Sequence, residues 1–244
     1  MRLVTAARLL YGSLHERGVR GTLERVQRLA AMRNEARRKT RAGKRFDDEL
    51  GVETSKWVRV PDLDTESPNR EHATSYEPSS VDEFRLLMKM LRVDHRSFTF
   101  IDYGSGKGRV LMLAAEYPFK RIVGVEFAES LNRVARKNVA ALGADAARIE
   151  VVLADAAVFD PPPDPLVLYF FNPFGPPVLE TVLTRICDSL ERTPRPAYVV
   201  ITGPPELSRV VERSGFERVD VEELGWRTRG VFVAGDASGS AARP

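Results

Sequence analysis

One segment of the sequence is dense in chemistry: Asp102-Tyr103-Gly104-Ser105-Gly106-Lys107-Gly108. It follows an apolar run at 98–103 and opens into a helical pattern. Glycines at alternate positions let the chain turn sharply and let a ligand approach its backbone. The helix start beyond them offers free N–H groups and a positive dipole end. The next apolar run, 121–127, carries Glu126, 22 residues after Gly104. In doubly wound folds an acid about 20 residues after the first glycine stands at the neighbouring strand end and takes ribose hydroxyls. Loop and acid together point to a nucleoside-bearing ligand. The spacing is G-x-G-x-G, not the G-x-G-x-x-G of dinucleotide oxidoreductases. Asp102 would also stand where a pyrophosphate binds, and would repel it. An acid there suits a cationic group such as an ammonium. Lys107 does not complete a P-loop, because Gly108 follows it.

Two further strand ends carry polar residues, Ala154-Asp155-Ala156 and Asn172-Pro173-Phe174-Gly175. Tyr76-Glu77-Pro78-Ser79 stands just ahead of the first domain helix, and His72 lies in the same polar stretch, where a surface position is the ordinary reading. Three scattered histidines and the single cysteine, Cys187, give no metal-ligand spacing and no disulfide. No nucleophile elbow or Cys/His arrangement appears.

The elements that must position these residues follow from periodicity. Apolar strand runs stand at 98–103, 121–127, 149–153, 166–171, 197–202, 216–224 and 230–234. Helical patterns separate most of them, one ending at Gly143 and another opening on Pro176 and Pro177. Strand and helix in alternation predict an α/β fold: a doubly wound, seven-stranded, mostly parallel sheet closed by a C-terminal antiparallel hairpin. Residues 81–236 form this domain, and 237–244 read as a disordered tail. Residues 48–80, with Pro61, Pro68 and Pro78, read as an irregular connector able to cover a ligand. Residues 1–47 read as a basic helical extension of two helices, punctuated by Gly18 and Gly21 and capped at Thr22. That extension holds 13 basic against 4 acidic residues, a net +9, which leaves −6 for the rest of a chain whose total is +3. Such an arm is either a solvated helix or a contact for nucleic acid, acidic lipid or an acidic protein. No apolar run approaches the roughly 20 residues of a membrane-spanning helix, and a cytoplasmic location is expected.

In D-Y-G-S-G-K-G (102–108), G-V-E (124–126), A-D-A (154–156) and L-Y-F-F-N-P-F-G (168–175), the sequence resembles the class I, seven-β-strand methyltransferases that use S-adenosyl-L-methionine (SAM). The resemblance spans about residues 81–236 and implies SAM as cofactor. It implies that Asp102 holds the methionine amino group, that the loop at Gly104, Ser105, Gly106 and Gly108 lines methionine and ribose, and that Glu126 binds the ribose hydroxyls. It further implies that Asp155, beside Ala156, contacts adenine, and that Phe127 is placed to stack on the ring. Asn172-Pro173-Phe174 is similar to the box of amino-group methyltransferases, whose amide oxygen and main-chain carbonyl accept hydrogen bonds from the target nitrogen. It departs from that box in having one proline between Asn172 and Phe174. The lead-in at Tyr76 looks like that of some seven-strand protein-lysine methyltransferases, where it folds over the cofactor.

The expected activity is methyl transfer from SAM to a nitrogen, in a protein lysine or another amine, or to an oxygen. Asn172, Pro173, Phe174 and Tyr76 are the residues placed nearest the transfer. One alternative is a nucleic-acid methyltransferase using the basic arm for phosphates; few aromatics interleave there, which counts against single-strand binding. The other is a non-catalytic module that binds SAM. A helical arm packed as a cap over the acceptor site is the preferred role for residues 1–47.

Overall fold

The computed structural model describes residues 2–234, apart from the side chains of residues 2–20, 22, 28, 29 and 32. The tail expected at 237–244 lies outside the described residues. The chain divides into two compact units, residues 1–42 and 43–244.

Helix α1 (Arg2–Leu50) is continuous, where two helices were expected. Gly18 and Gly21 do not interrupt it. A mid-helix glycine costs about 1 kcal/mol against alanine, and the run contains no proline and many strong helix formers. The helix also extends three residues past position 47, and its last turns, from Gly43, belong to the second unit.

Beyond it the chain is irregular up to Ser80, except for short 3₁₀ turns at Val60–Asp62 and Pro68–His72. Two isolated bridges, Val58 with Tyr76 and Ala73 with Phe174, tie this connector down.

Seven strands follow: β1 (Thr99–Tyr103), β2 (Arg121–Glu126), β3 (Ile149–Leu153), β4 (Leu166–Phe171), β5 (Ala197–Gly203), β6 (Phe216–Glu223) and β7 (Thr228–Ala234). They stand in the order β3-β2-β1-β4-β5-β7-β6. The first five are parallel, and β7 runs antiparallel to β5 and β6. The expected sheet and closing hairpin are therefore present.

Alternation along each strand splits the core in two. Phe100, Tyr169 and Val200 face one side, with Phe84 and Leu87 of α2 (Val81–Met90), Leu111 of α3 (Arg109–Ala114) and Ala135 of α4 (Glu129–Ala140). Ile101, Leu168, Phe170 and Val199 face the other, with Leu183 of α5 (Pro176–Arg192) and Val211 of α6 (Pro205–Arg213). Each fully buried Val, Leu, Ile or Phe side chain among these contributes ~1.5–3 kcal/mol.

Local signals set the helix ends. The Ser80 hydroxyl accepts the Glu83 N–H at the start of α2, and Pro176 and Pro177 occupy the first turn of α5. Helix α4 stops at Ala140, three residues before the expected Gly143, which instead takes φ 60° and opens a 3₁₀ turn.

The consequence for function lies in the strand order. Successive strands are added toward one edge from β1 to β3 and toward the other from β4 onward, and open α/β sheets form a crevice outside the strand ends where that order switches, here between β1 and β4. Asp102, the glycine loop, Glu126, Asp155 and Asn172 all sit at those ends.

Candidate functional site

The crevice is a cavity of about 960 Å³, open mouth included. Asp102, Gly104, Ser105, Glu126, Phe127, Asp155, Ala156, Asn172, Pro173 and Phe174 all line it, and so does Tyr76 from the connector. Gly106 and Gly108 complete the loop beneath.

The loop needs glycine for two separate reasons. Gly104 and Gly106 have φ of 82° and 52°, the left-handed region. A Cβ on Gly104 would stand 2.8 Å from Pro173 Cβ, and one on Gly106 would stand 2.2 Å from the Tyr76 ring. The loop backbone is pinned to β2, with the Gly104 and Ser105 N–H groups donating to the Val125 carbonyl at 2.9 and 3.1 Å.

Glu126 closes the arrangement. One carboxylate oxygen accepts from the Gly106 N–H at 2.8 Å, the other from the Ala128 N–H at 2.9 Å. The residue is 5% exposed, and burial pushes its pKa up to about 7 against the pull of those N–H groups. Asp102, at the end of β1, is 3% exposed. Burial first, then the charge of Glu126, holds its pKa well above the usual carboxylate range. Among the described residues no cation forms a salt bridge with either carboxylate. Arg109 also lines the cavity, but its guanidinium is engaged by Asp47, Thr54, Ser55 and the Ser79 carbonyl, so the two buried acids are left without an ion-pair partner, and such an arrangement attracts a cation.

Asp155 behaves differently. Its carboxylate accepts from the Ala157 N–H at 2.8 Å, from Asn69 Nδ2 at 2.8 Å and from the Ser67 hydroxyl. The last two come from the connector turn at Pro68–His72, which Ser67 also caps. Phe127 is half-buried against Leu63 and Leu131, on the cavity wall.

Past β4 the chain turns sharply. Asn172, at φ 42°, is the one non-glycine residue with positive φ among the described residues. Its N–H donates to the Thr202 carbonyl at 2.7 Å. The Thr74 hydroxyl donates to the main-chain carbonyls of Asn172, at 2.6 Å, and Pro173, at 3.2 Å. The Gly175 N–H donates to the His72 carbonyl at 2.8 Å. Residues 72–74 therefore run alongside 172–175 and form one wall of the cavity. Phe174 is buried, edge-on to Phe170 with ring centroids 6.3 Å apart. His72 contributes its carbonyl to this wall, while its imidazole stands 3.6 Å from Glu71 at the surface.

Tyr76 lies over Gly106 and donates its hydroxyl to the Thr54 carbonyl at 2.8 Å. Burial pushes its phenol far above the ordinary value, so it stays protonated and serves as a donor. Lys107 Nζ stands 5.8 Å from the same ring and bonds Glu53 at 2.9 Å.

Several residues of this site escape sequence reading. Ser67, Asn69 and Thr74 belong to a polar stretch with no periodicity to mark them. Arg109 sits at the start of α3 and is 4% exposed. Its guanidinium donates to Thr54 Oγ1 at 2.7 Å, Ser55 Oγ at 2.8 Å and the Ser79 carbonyl at 3.1 Å, and pairs with Asp47 at 3.4 Å. Although burial opposes it, hydrogen bonds from Thr54 and Ser55 and the charge of Arg109 hold Asp47 below its usual pKa.

No helix among the described residues is long and apolar enough to cross a membrane. No family model and no curated protein matches the sequence. Solved structures with a similar fold include the pyocyanin biosynthetic protein PhzM, at 16% identity, covering 63% of this chain and 55% of that one with a TM-score of 0.49. The mitomycin 7-O-methyltransferase MmcR is similar at 16% identity, 64% and 54% coverage and a TM-score of 0.49. An RNA methyltransferase from Salinibacter ruber, in complex with S-adenosyl-L-homocysteine, is similar at 21% identity, 64% and 92% coverage and a TM-score of 0.45. The chain spans about half the length of PhzM and of MmcR.

Proposed function

We propose that the protein binds S-adenosyl-L-methionine in this cavity and transfers its methyl group to a nitrogen or oxygen acceptor, with a protein lysine or another amine ahead of a hydroxyl. One observation carries the reading: two buried carboxylates, Asp102 and Glu126, line a nucleoside-sized crevice without an ion-pair partner, the cavity's Arg109 being engaged by Asp47, Thr54, Ser55 and Ser79. SAM fits that donor set, because it brings an ammonium, a sulfonium and a pair of ribose hydroxyls. Asp102 would hold the ammonium and Glu126 the ribose hydroxyls, with Gly104 and Gly106 leaving room for the chain of the methionine. Ala156 and Phe127 would flank the adenine, and Asp155 would reach its amino group.

SAM supplies a methyl group already activated on a sulfonium, so the protein has to position the acceptor and exclude water. Asn172 and Pro173 would set the acceptor, on a turn fixed through Thr202. Phe174 and Tyr76 would shield it from solvent. The acceptor's lone pair forms the new bond to carbon as the bond to sulfur breaks, and the electron pair leaves on sulfur. The proton released from the acceptor passes to water.

Titration calorimetry with SAM tests the reading on the wild type and on Glu126→Ala. Micromolar binding, weakened about tenfold or more by the substitution, is expected, equivalent to about 1.4 kcal/mol. A folded wild type that takes up no SAM at millimolar concentration would overturn the assignment.

A further inference from the structure

A neutral primary amine that attacks a methyl group points its lone pair at carbon and keeps two N–H groups. In a water-excluded cavity each needs an acceptor, since an unpaired buried donor costs its full desolvation. A hydroxyl nucleophile brings one O–H instead. The number of open acceptors at the transfer position therefore selects between the two classes.

Asn172 Oδ1 is one acceptor. Among the described residues nothing engages the side-chain amide of Asn172, which lines the cavity. The Asn172 and Pro173 main-chain carbonyls would be next, but the Thr74 hydroxyl covers both, at 2.6 and 3.2 Å. A threonine hydroxyl has one proton and two lone pairs. With that proton committed to the two carbonyls, the oxygen can only accept from any other neighbour. Thr74 lines the same cavity as Asn172, so it returns to the cavity the accepting capacity it takes from the backbone.

We propose that Thr74 Oγ1 is a substrate-contacting specificity residue: with Asn172 Oδ1 it accepts the two N–H groups of a primary amine at the transfer position, favouring amine over hydroxyl acceptors. The proposal rests on the methyl-transfer reading above and deepens it. Backbone geometry supports it. Thr74 stands between Ala73, bridged to Phe174, and Tyr76, bridged to Val58, so the hydroxyl is held from both sides. A hydroxyl substrate would leave one of the two acceptors unmatched.

The test uses two ligands of the full-length protein that differ at the transfer position. Sinefungin carries an amino group where SAM has its sulfonium methyl, and so brings N–H donors there. S-adenosyl-L-homocysteine brings none. Calorimetry is run on the wild type, Thr74→Val and Thr74→Ser. The wild type should prefer sinefungin. Thr74→Val should lower the ratio of sinefungin to S-adenosyl-L-homocysteine affinity at least about tenfold, whatever the loss of the Asn172 and Pro173 carbonyl contacts costs both ligands alike, and Thr74→Ser should keep the wild-type ratio. Saturable S-adenosyl-L-homocysteine binding by the variant also shows that it is folded. Equal weakening of both ligands, or no loss of the sinefungin preference, overturns the role of Thr74 and leaves the cofactor reading standing. Failure of the wild type to bind either ligand overturns both.

Discussion

Asp102 and Glu126 carry their charge at the expense of the ligand-free fold. For both, the folded-state pKa lies above the unfolded value, that of Glu126 at about 7. Between the two values the folded chain binds more protons than the unfolded one, so stability falls as pH rises through that window. Asp102→Asn removes one such charge without removing a hydrogen bond among the described residues. Its expected effect on the ligand-free protein is a gain in Tm that is largest at high pH and shrinks as pH falls toward the ordinary carboxylate range. Melts followed across that pH range check it; a gain independent of pH would mean that packing, not charge, is the cause. The same substitution should weaken SAM, since sites built for function often give up stability. Asp102 and Glu126 were legible in the sequence because each ends an apolar strand next to glycines. Their lack of a cationic partner was not, since it depends on what the fold leaves out of the cavity.

Arg109 sets the arrangement of the elements around the site. It opens α3 and joins that helix to Asp47 in the last turns of α1, to Thr54 and Ser55 in the connector, and to Ser79 just before α2. Asp47 and Arg109 are both nearly buried, so losing one partner strands the other. Arg109→Met is expected to destabilise the protein by about 3 kcal/mol, read as a lower urea midpoint, and to speed hydrogen exchange at residues 43–58. Unchanged exchange there would show that other contacts hold the segment. No spacing rule could have found this cluster, because its members are separated by up to 62 residues. A buried arginine also looks, in sequence, like any other arginine at a helix start. Helix α1 was misread for the opposite reason: its glycines are conspicuous locally, but four in 49 residues do not outweigh a long run of helix formers.

For the whole molecule, the strands and their order of appearance were legible from apolar runs and turn residues, and the closing hairpin from the absence of a helix between the last two. The division of the chain was less so, because the compact-unit boundary at 42/43 falls inside a continuous helix. The cavity is lined by residues from Leu63 to Val178, all of them in the second unit. A chain beginning at Gly43 is therefore expected to bind SAM within about twofold of the full-length affinity, at most about 0.4 kcal/mol apart, and to unfold in one transition. Calorimetry and melts on the truncated chain check this, and lost affinity would place part of the site's support in the first unit.

The turn at Pro68–His72 gives the cavity one further property. Ser67 and Asn69 both donate to the same oxygen of Asp155, so a ligand that claims this oxygen must first evict both. If that release precedes binding, it is a first-order event, indifferent to how much ligand is waiting. Stopped-flow association with SAM is then expected to keep pace with collisions at low concentration and to level off at high concentration, at the frequency with which the turn lets go; a rate that rises linearly throughout would show that Asp155 gives up neither contact.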